Sequence, residues 1–412
     1  MPEIPKQSKN KPILLALLLM LLIAAGVGVV YKFFPPHVEP RNLSGPIGIV
    51  VSRKAQLAGP VQDFPVFHGD AALTGYVDAD LPDKPDVLWH RKISEGLPIK
   101  SSPVVGGGRV YVGSYDDNLY ALNFKDGSVA WKGETGGSID GSPCYAEGKV
   151  FVGSGDHFVY AFDAKDGKLL WKFETGDGIK GGTNYVDGKI IVGSYDNKLY
   201  CFDAKAAKVE KPEWSFETSN KINGTPAIAN GKTVFGGCDA MLHVLSIKDG
   251  SELNKGIDAG AVVAASPALD SAMAFVGTHE GEFIAADLDK GSILWTFKSP
   301  KEMAFDSSPA LSKDFAVVGC DDKLLHCLHR ANGNEAWNFP AKGKISSSPV
   351  IAKDRIIVGD EKGRVYILDL KDGAEIWNYE LGAPIDTSPA IANNVFIFGA
   401  DDGSVTAFGK KE

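Results

Sequence analysis

From residue 86 to the C-terminus, short apolar runs alternate with polar turns of two to four residues, and the pattern recurs. The stretch SSPVVGGGRVYVGSYDDNLYALNFKDGSVAW (101–131) is followed by GSPCYAEGKVFVGSGDHFVYAFDAKDGKLLW (141–171), with the same runs and turns in the same order. Each unit holds four runs short enough to be strands; in the first these are SPVV, RVYVG, NLYALN and SVAW. Turns this short join only antiparallel neighbours, so one unit predicts a four-stranded antiparallel sheet. The second runs, such as VFVG (150–153) and IIVG (190–193), are apolar throughout, which predicts cover on both faces.

Glycines close these second runs at Gly113, Gly153, Gly193, Gly236, Gly277, Gly319, Gly359 and Gly399, spaced 40, 40, 43, 41, 42, 40 and 40 residues apart. Eight such sheets, each needing cover on both sides, are accommodated by radial stacking around an axis. The expected fold class is therefore all-β: an eight-bladed β-propeller of four-stranded antiparallel blades over residues 86–412. The last copy, TSPAIANNVFIFGADDGSVTAFGKKE, ends after its third strand, whereas DVLWHRK (86–92) is a fourth strand with no three strands before it. The N-terminal strand is expected to complete the C-terminal blade and leave no open edge.

Trp89, Trp131, Trp171, Trp214, Trp295, Trp337 and Trp377 fill the fourth-strand slot of seven copies, and Asn254 fills it in the fourth. An indole buries roughly 150–250 Å² and carries an N–H to satisfy, which suits a seam between neighbouring sheets. Distribution around a ring keeps these rings apart, against an aromatic cage, so they are expected to be blade fasteners. The run Ala161-x-Asp163…Gly167-x-x-x-Trp171 resembles the tryptophan-docking motif of quinoprotein-type, or PQQ-like, repeats. It recurs as Ala285-x-Asp287…Gly291…Trp295 and, more loosely, as Ala121-x-Asn123…Gly127…Trp131 and Ile367-x-Asp369…Gly373…Trp377.

That resemblance implies a propeller and two kinds of function. Pyrroloquinoline quinone-dependent dehydrogenases of this type carry adjacent cysteines over the cofactor, a calcium site, a catalytic Asp and long capping insertions. The propeller lipoprotein of the outer-membrane β-barrel assembly machine is not catalytic. Here no two cysteines are adjacent, and the largest insertion is three residues around KAAKVEKPEW (205–214). The expectation is a binding or scaffold protein of the cell envelope, not an enzyme, with no catalytic residues, cofactor or metal. The alternative is a dehydrogenase or small-ligand sensor using the channel mouth, with pyrroloquinoline quinone and calcium.

Ahead of the repeats, ILLALLLMLLIAAGVGVVY (13–31) is an uncharged run of 19 residues between Lys11 and Lys32. At 1.5 Å per residue it nearly spans a hydrocarbon core of about 30 Å. It predicts a transmembrane signal-anchor over 12–31, a cytoplasmic N-terminus over 1–11 and a Pro-rich tether and pre-propeller segment over 32–85. A cleaved secretory signal ending near Ala24, Ala25 and Gly26 is the alternative. Lys6, Lys9 and Lys11 before the run favour export of the chain beyond it, which makes the propeller periplasmic or otherwise extracytoplasmic. Part of the tether, FPVFHGDAALTGY (64–76), is aromatic enough to pack against the repeats.

Composition narrows the chemistry. A net charge of −9 excludes nucleic acid as a partner, since phosphate binding needs a clustered positive surface. Five scattered cysteines make no disulfide framework. The segment CDDKLLHCLH (320–329) offers Cys320, Asp321, His326, Cys327 and His329 as metal ligands. In register, however, Cys320 falls where Ser114 and Ser154 stand, His326 where Tyr120 and Tyr160 stand, and Cys327 where Ala121 and Ala161 stand. These are therefore expected to be core substitutions.

One residue precedes each first strand's Ser-Pro motif, and around the ring these are Lys100, Asp140, Lys180, Asn223, Ala264, Asp306, Ser346 and Asp386. First strands are innermost in a propeller, so these positions are expected to surround one mouth of the channel. They form either solvated ion pairs or a site for a polar ligand or peptide. Asp116, Asp156, Asp196, Asp239, Glu280, Asp322 and Asp402, in the turns after the second strands, are expected first to satisfy backbone N–H groups of their own turns; as an acidic rim they also predict a protein partner with a basic surface.

Overall fold

The computed structural model describes residues 62–411. The anchor expected over 12–31, the N-terminal residues before it and the tether as far as residue 61 lie outside the described residues. Among the described residues no helix is long and apolar enough to cross a membrane.

Eight sheets follow one another along the chain. In the first, strands Val104–Gly106, Arg109–Gly113, Asn118–Asn123 and Val129–Glu134 lie in chain order. The inner three are almost wholly buried, while the fourth alternates between buried and exposed positions, as an outer strand covered on one face must. In the eighth sheet, Ala390–Ala392, Val395–Gly399 and Ser404–Gly409 are joined by Asp86–Lys92, which pairs antiparallel with Ser404–Gly409 so that Trp89 lies opposite Ala407. A bulge interrupts the ladder just before the tryptophan in the first sheet, between Ala121 and Leu122, and recurs in the sixth and seventh. Bulges re-aim side chains, and these turn each indole toward the next blade.

The seam has a fixed construction. The Trp131 indole lies on Gly167 of the next blade and donates its N–H to Ala164 O at 3.0 Å. The same pair of contacts joins Trp89 to Gly127 and Phe124 O, Trp214 to Gly250 and Ile247 O, Trp295 to Gly333 and Arg330 O, and Trp337 to Gly373 and Leu370 O. Asn254 keeps the polar half of the arrangement, its amide donating to Leu288 O at 3.2 Å. Trp171 loses it: the three-residue insertion replaces the expected glycine, Lys149 takes Ala204 O at 2.7 Å, and the buried Trp171 Nε1 has no partner.

Nearer the axis, the second-strand glycines admit an apolar side chain of the next blade. A Cβ on Gly113 would lie 2.1 Å from Ile139, and one on Gly399 would lie 2.4 Å from Ile99, across the junction of the last and first blades. Inside them runs a relay of hydroxyls. Thr225 N donates to Ser266 Oγ, Ser266 N to Ser308, Ser308 N to Ser348, Ser348 N to Ser388 and Ser388 N to Ser102, all between 2.8 and 3.0 Å. Paired hydroxyl residues before the prolines therefore bind neighbouring blades at five of the eight junctions.

Residues 62–85, read from sequence as part of the tether, belong to this body. The segment passes once around the channel at the far end of the inner strands. Phe64 bridges Val105, Pro65 O accepts from Tyr145 N, and Ala71 O accepts from Asn184 Nδ2 and Ile228 N. Ala72 O then accepts from Leu269 N, Thr74 O from Leu311 N and Gly75 O from Ile351 N, and Asp80 N donates to Asn394 Oδ1. One contact per blade satisfies inner edges that would otherwise be unpaired. His68 is enclosed by this turn of chain: its ring stacks on Phe67 at 4.3 Å, Nδ1 meets Leu73 O at 3.3 Å, and Nε2 has no partner.

This packing has two measurable consequences. Gly333 has a φ of +73°, and a Cβ there would lie 2.5 Å from Trp295; Gly382 has a φ of +85° with open space around it. Backbone strain of about 1–2 kcal/mol applies to both, but overpacking adds roughly 1–3 kcal/mol only at the first. Gly333→Ala is thus expected to lower the urea midpoint well beyond Gly382→Ala. Burial holds the His68 pKa down to about 4 from 6.5. The folded state then binds fewer protons than the unfolded one, so stability is full above the unfolded value and falls as pH drops from 6.5 toward 4, by up to about 3 kcal/mol. In urea titrations at pH 7, 5.5 and 4, this slope is expected in the native chain and absent from His68→Leu.

Candidate functional site

The mouth is built from the residue where the chain enters each inner strand. Lys100, Asp140, Lys180, Asn223, Ala264, Asp306 and Asp386 line one cavity of about 170 Å³, together with hydroxyls of the relay and the ring of Phe67. Ser346 is not in the lining, to which the seventh blade contributes only Ser348, the counterpart of Ser102 and Ser388.

The charges do not face one another across the channel. They pair with neighbours. Lys100 binds Asp386 and, at 2.7 Å, Asp401, while Lys180 binds Asp140 at 2.7 Å. Asp306 meets His279 Nδ1 at 3.1 Å. A second ring, one slot inside the acidic turns, supplies several partners that sequence reasoning did not reach: Tyr115, whose hydroxyl donates to Asp140; Cys238, beside Asn223; His279; Asp321, paired with Lys344 at 2.6 Å; and Asp401. Their signal is positional, since each stands two residues after a second-strand glycine.

Burial raises the carboxyl pKa of both Asp306 and Asp401, with His279 opposing the rise at the first and Lys100 at the second. For Lys100 burial works against the charge, but the bonds to Asp386 and Asp401 outweigh it, and its pKa is raised. Asp401 also keeps one buried carboxylate oxygen, Oδ1, without a hydrogen bond, while Asp306 Oδ1 faces His279. The mouth is therefore polar and under-neutralised on its acidic side.

The acidic turns are internally engaged. Asp156 accepts from Phe158 N and Gly136 N, and Asp196 accepts from Tyr200 Oη and Gly176 N, both at 2.6 Å. Each such carboxylate ties its turn to the loop by which the chain enters the same blade. The seventh blade has Lys362 in that slot, and Asp360, buried two residues earlier, accepts from Tyr366 Oη, Lys342 N and Gly343 N instead.

In the segment 320–329, strand alternation separates His326 from Cys327, which packs in the apolar layer with Val317, Leu325 and Ile345. Cys320, Asp322 and His326 come together on the other side, all buried. A larger hollow, of about 540 Å³, lies under the 205–214 insertion, but its wall is surface charge such as the Lys208–Glu210 pair, more than three-quarters exposed.

The profile of a family described as outer membrane protein assembly factor BamB matches residues 75–179, 157–301, 256–338 and 321–412. No curated protein sequence matches significantly. Among solved structures, BamB from Moraxella catarrhalis is 18% identical, with a TM-score of 0.66 over 80% of this chain and 98% of that one. The computationally designed Ika8 protein is 15% identical, with a TM-score of 0.69 over 79% and 99%. Quinohemoprotein alcohol dehydrogenase ADHIIG from Pseudomonas putida HK5 is 12% identical, with a TM-score of 0.71 over 85% and 81%. These likenesses concern the fold.

The pairing at the mouth predicts unequal effects. Lys100 is 28% exposed and bridges two carboxylates, whereas Lys180 is 37% exposed and holds one. Lys100→Met is expected to cost about 1–2 kcal/mol at pH 7, and Lys180→Met under about 1 kcal/mol. Because the Lys100 pKa is raised, its contribution is present below the ordinary lysine value of 10.5 and is lost as pH rises through the folded one. The gap from the native chain also shrinks in acid, where the carboxylates protonate. Denaturant midpoints across pH 4–11 check both limbs.

Proposed function

The chain belongs to the family described as outer membrane protein assembly factor BamB, and from that membership we propose that it is a non-catalytic binding scaffold of the cell envelope. Its propeller is extracytoplasmic, joined to a membrane through the N-terminal segment, and its mouth face receives a protein partner with a basic surface. One observation carries the reading. The mouth is a shallow cavity of about 170 Å³, backed by Phe67. Small-molecule sites enclose about 300–1,000 Å³. A recess of this size takes one or two side chains of a partner, not a tricyclic cofactor.

Pyrroloquinoline quinone with calcium does not fit the residues present. The lysines that would meet its carboxylates are committed to Asp386, Asp401 and Asp140, and the ring of Phe67 stands in the lining. No adjacent cysteines are available. A basic partner is favoured because Asp140, Asp306, Asp386 and Asp401 outnumber Lys100 and Lys180. A lysine or arginine entering the recess would meet the carboxylates of Asp306 and Asp386 in its lining.

A photo-reactive residue at position 180 is expected to yield a discrete protein adduct in cells, while one at Lys371, in a turn at the opposite end of the strands, is not. The adduct is expected to fade when Asp306 and Asp386 are both replaced by Lys. Adduct formation indifferent to those charges, or equal from both faces, contradicts the proposal.

A further inference from the structure

We propose that the sixth blade holds a site for a thiophilic divalent cation, with Cys320 Sγ, a carboxylate oxygen of Asp322 and His326 Nε2 as its ligands. The three side chains are buried, and their ligand atoms lie within 4.8 Å of one another. Ligands sharing a zinc ion at about 2.0–2.3 Å lie roughly 3–4 Å apart, so small side-chain movements close the site.

The hydrogen bonds of His326 carry the argument. Its Nδ1 lies 2.6 Å from Glu335 Oε1, and its Nε2 lies 3.3 Å from Asp322 Oδ2. With the Nδ1 proton donated to Glu335, Nε2 of a neutral ring is an acceptor facing a second acceptor. A cation between them removes the conflict. A carboxylate on the remote nitrogen is also the arrangement that orients metal-bound imidazole. Charge balances: a dication, the Cys320 thiolate and the Asp322 carboxylate sum to zero beside the rings of Phe297 and Phe305, which lie 5.3 and 5.5 Å from the imidazole. On binding, the S–H bond breaks, an S–metal bond forms and one proton passes to solvent. Sulfur and imidazole select zinc-like ions over magnesium or calcium.

Comparison among the blades separates this site from plain structural bonding. The same slots hold Ser114, Asp116 and Tyr120 in the first blade, where Tyr120 Oη donates to Asp116 at 2.6 Å. The fourth blade has Asp239 and His243 but Gly237 in place of the thiol. Sulfur, carboxylate and imidazole coincide in the sixth alone. The site would brace the mouth, because Ser299 Oγ, on the loop leading to Asp306, donates to Asp322.

The full chain, produced in medium whose zinc is replaced by cobalt so that the buried site loads during folding, tests this. The expected result is thiolate-to-cobalt charge-transfer absorption at one ion per chain. Cys320→Ser and His326→Tyr, which install residues that other blades carry, are expected to abolish it, and Cys327→Ala to retain it. A folded native chain without the absorption, or an undiminished band in Cys320→Ser, overturns the proposal. Metal content of the native chain produced with zinc is a second readout, needing no variant: near one equivalent supports the site and none contradicts it.

Discussion

An indole lying on a glycine, with its N–H given to a carbonyl three residues upstream, is the contact on which the rest of this structure depends. It fixes both the distance and the rotation between neighbouring sheets, since the ring sets the spacing and the hydrogen bond sets the angle. Repeated at five of the eight junctions, it makes the blade's outer strand the support of the next blade. Dependence on the residue types is visible where they change. Asn254 preserves the hydrogen bond without the ring, and the insertion after Ala204 leaves Trp171 Nε1 buried and unpaired.

Closer to the axis, different chemistry does the same work. The relay from Thr225 to Ser102 passes through hydroxyls of the Ser-Pro motifs, and the turn of chain from Gln62 to Asp80 offers backbone groups to the inner strands of seven blades and to the asparagine turn of the eighth. The consequence for function is spatial. With one end of the channel occupied by the protein's own backbone, the channel opens at the mouth ringed by Lys100, Asp140, Lys180 and Asp386, where the lysines pair with aspartates of adjacent blades.

Sheets, turns and blade count were legible because they rest on local pattern: apolar runs of fixed length, turn residues and a period near 41. The tryptophan slots were legible for the same reason, as were the mouth positions, which inherit their place from register. What escaped the sequence depends on contacts between distant segments. FPVFHGDAALTGY has no repeat to align with, so nothing local shows that it encircles the channel. The pairing of Lys100 with Asp401 and of Asp306 with His279 joins residues of neighbouring blades, and pattern alone places such residues on a face without naming partners.

The central claim is that this propeller recognises another protein through a recess too small for a redox cofactor, whose lysines are already paired with aspartates. Equilibrium titration of the full chain with pyrroloquinoline quinone and calcium, followed by absorbance and dye reduction, tests it most directly. The account predicts no saturable binding and no turnover. Stoichiometric binding accompanied by dye reduction would contradict it.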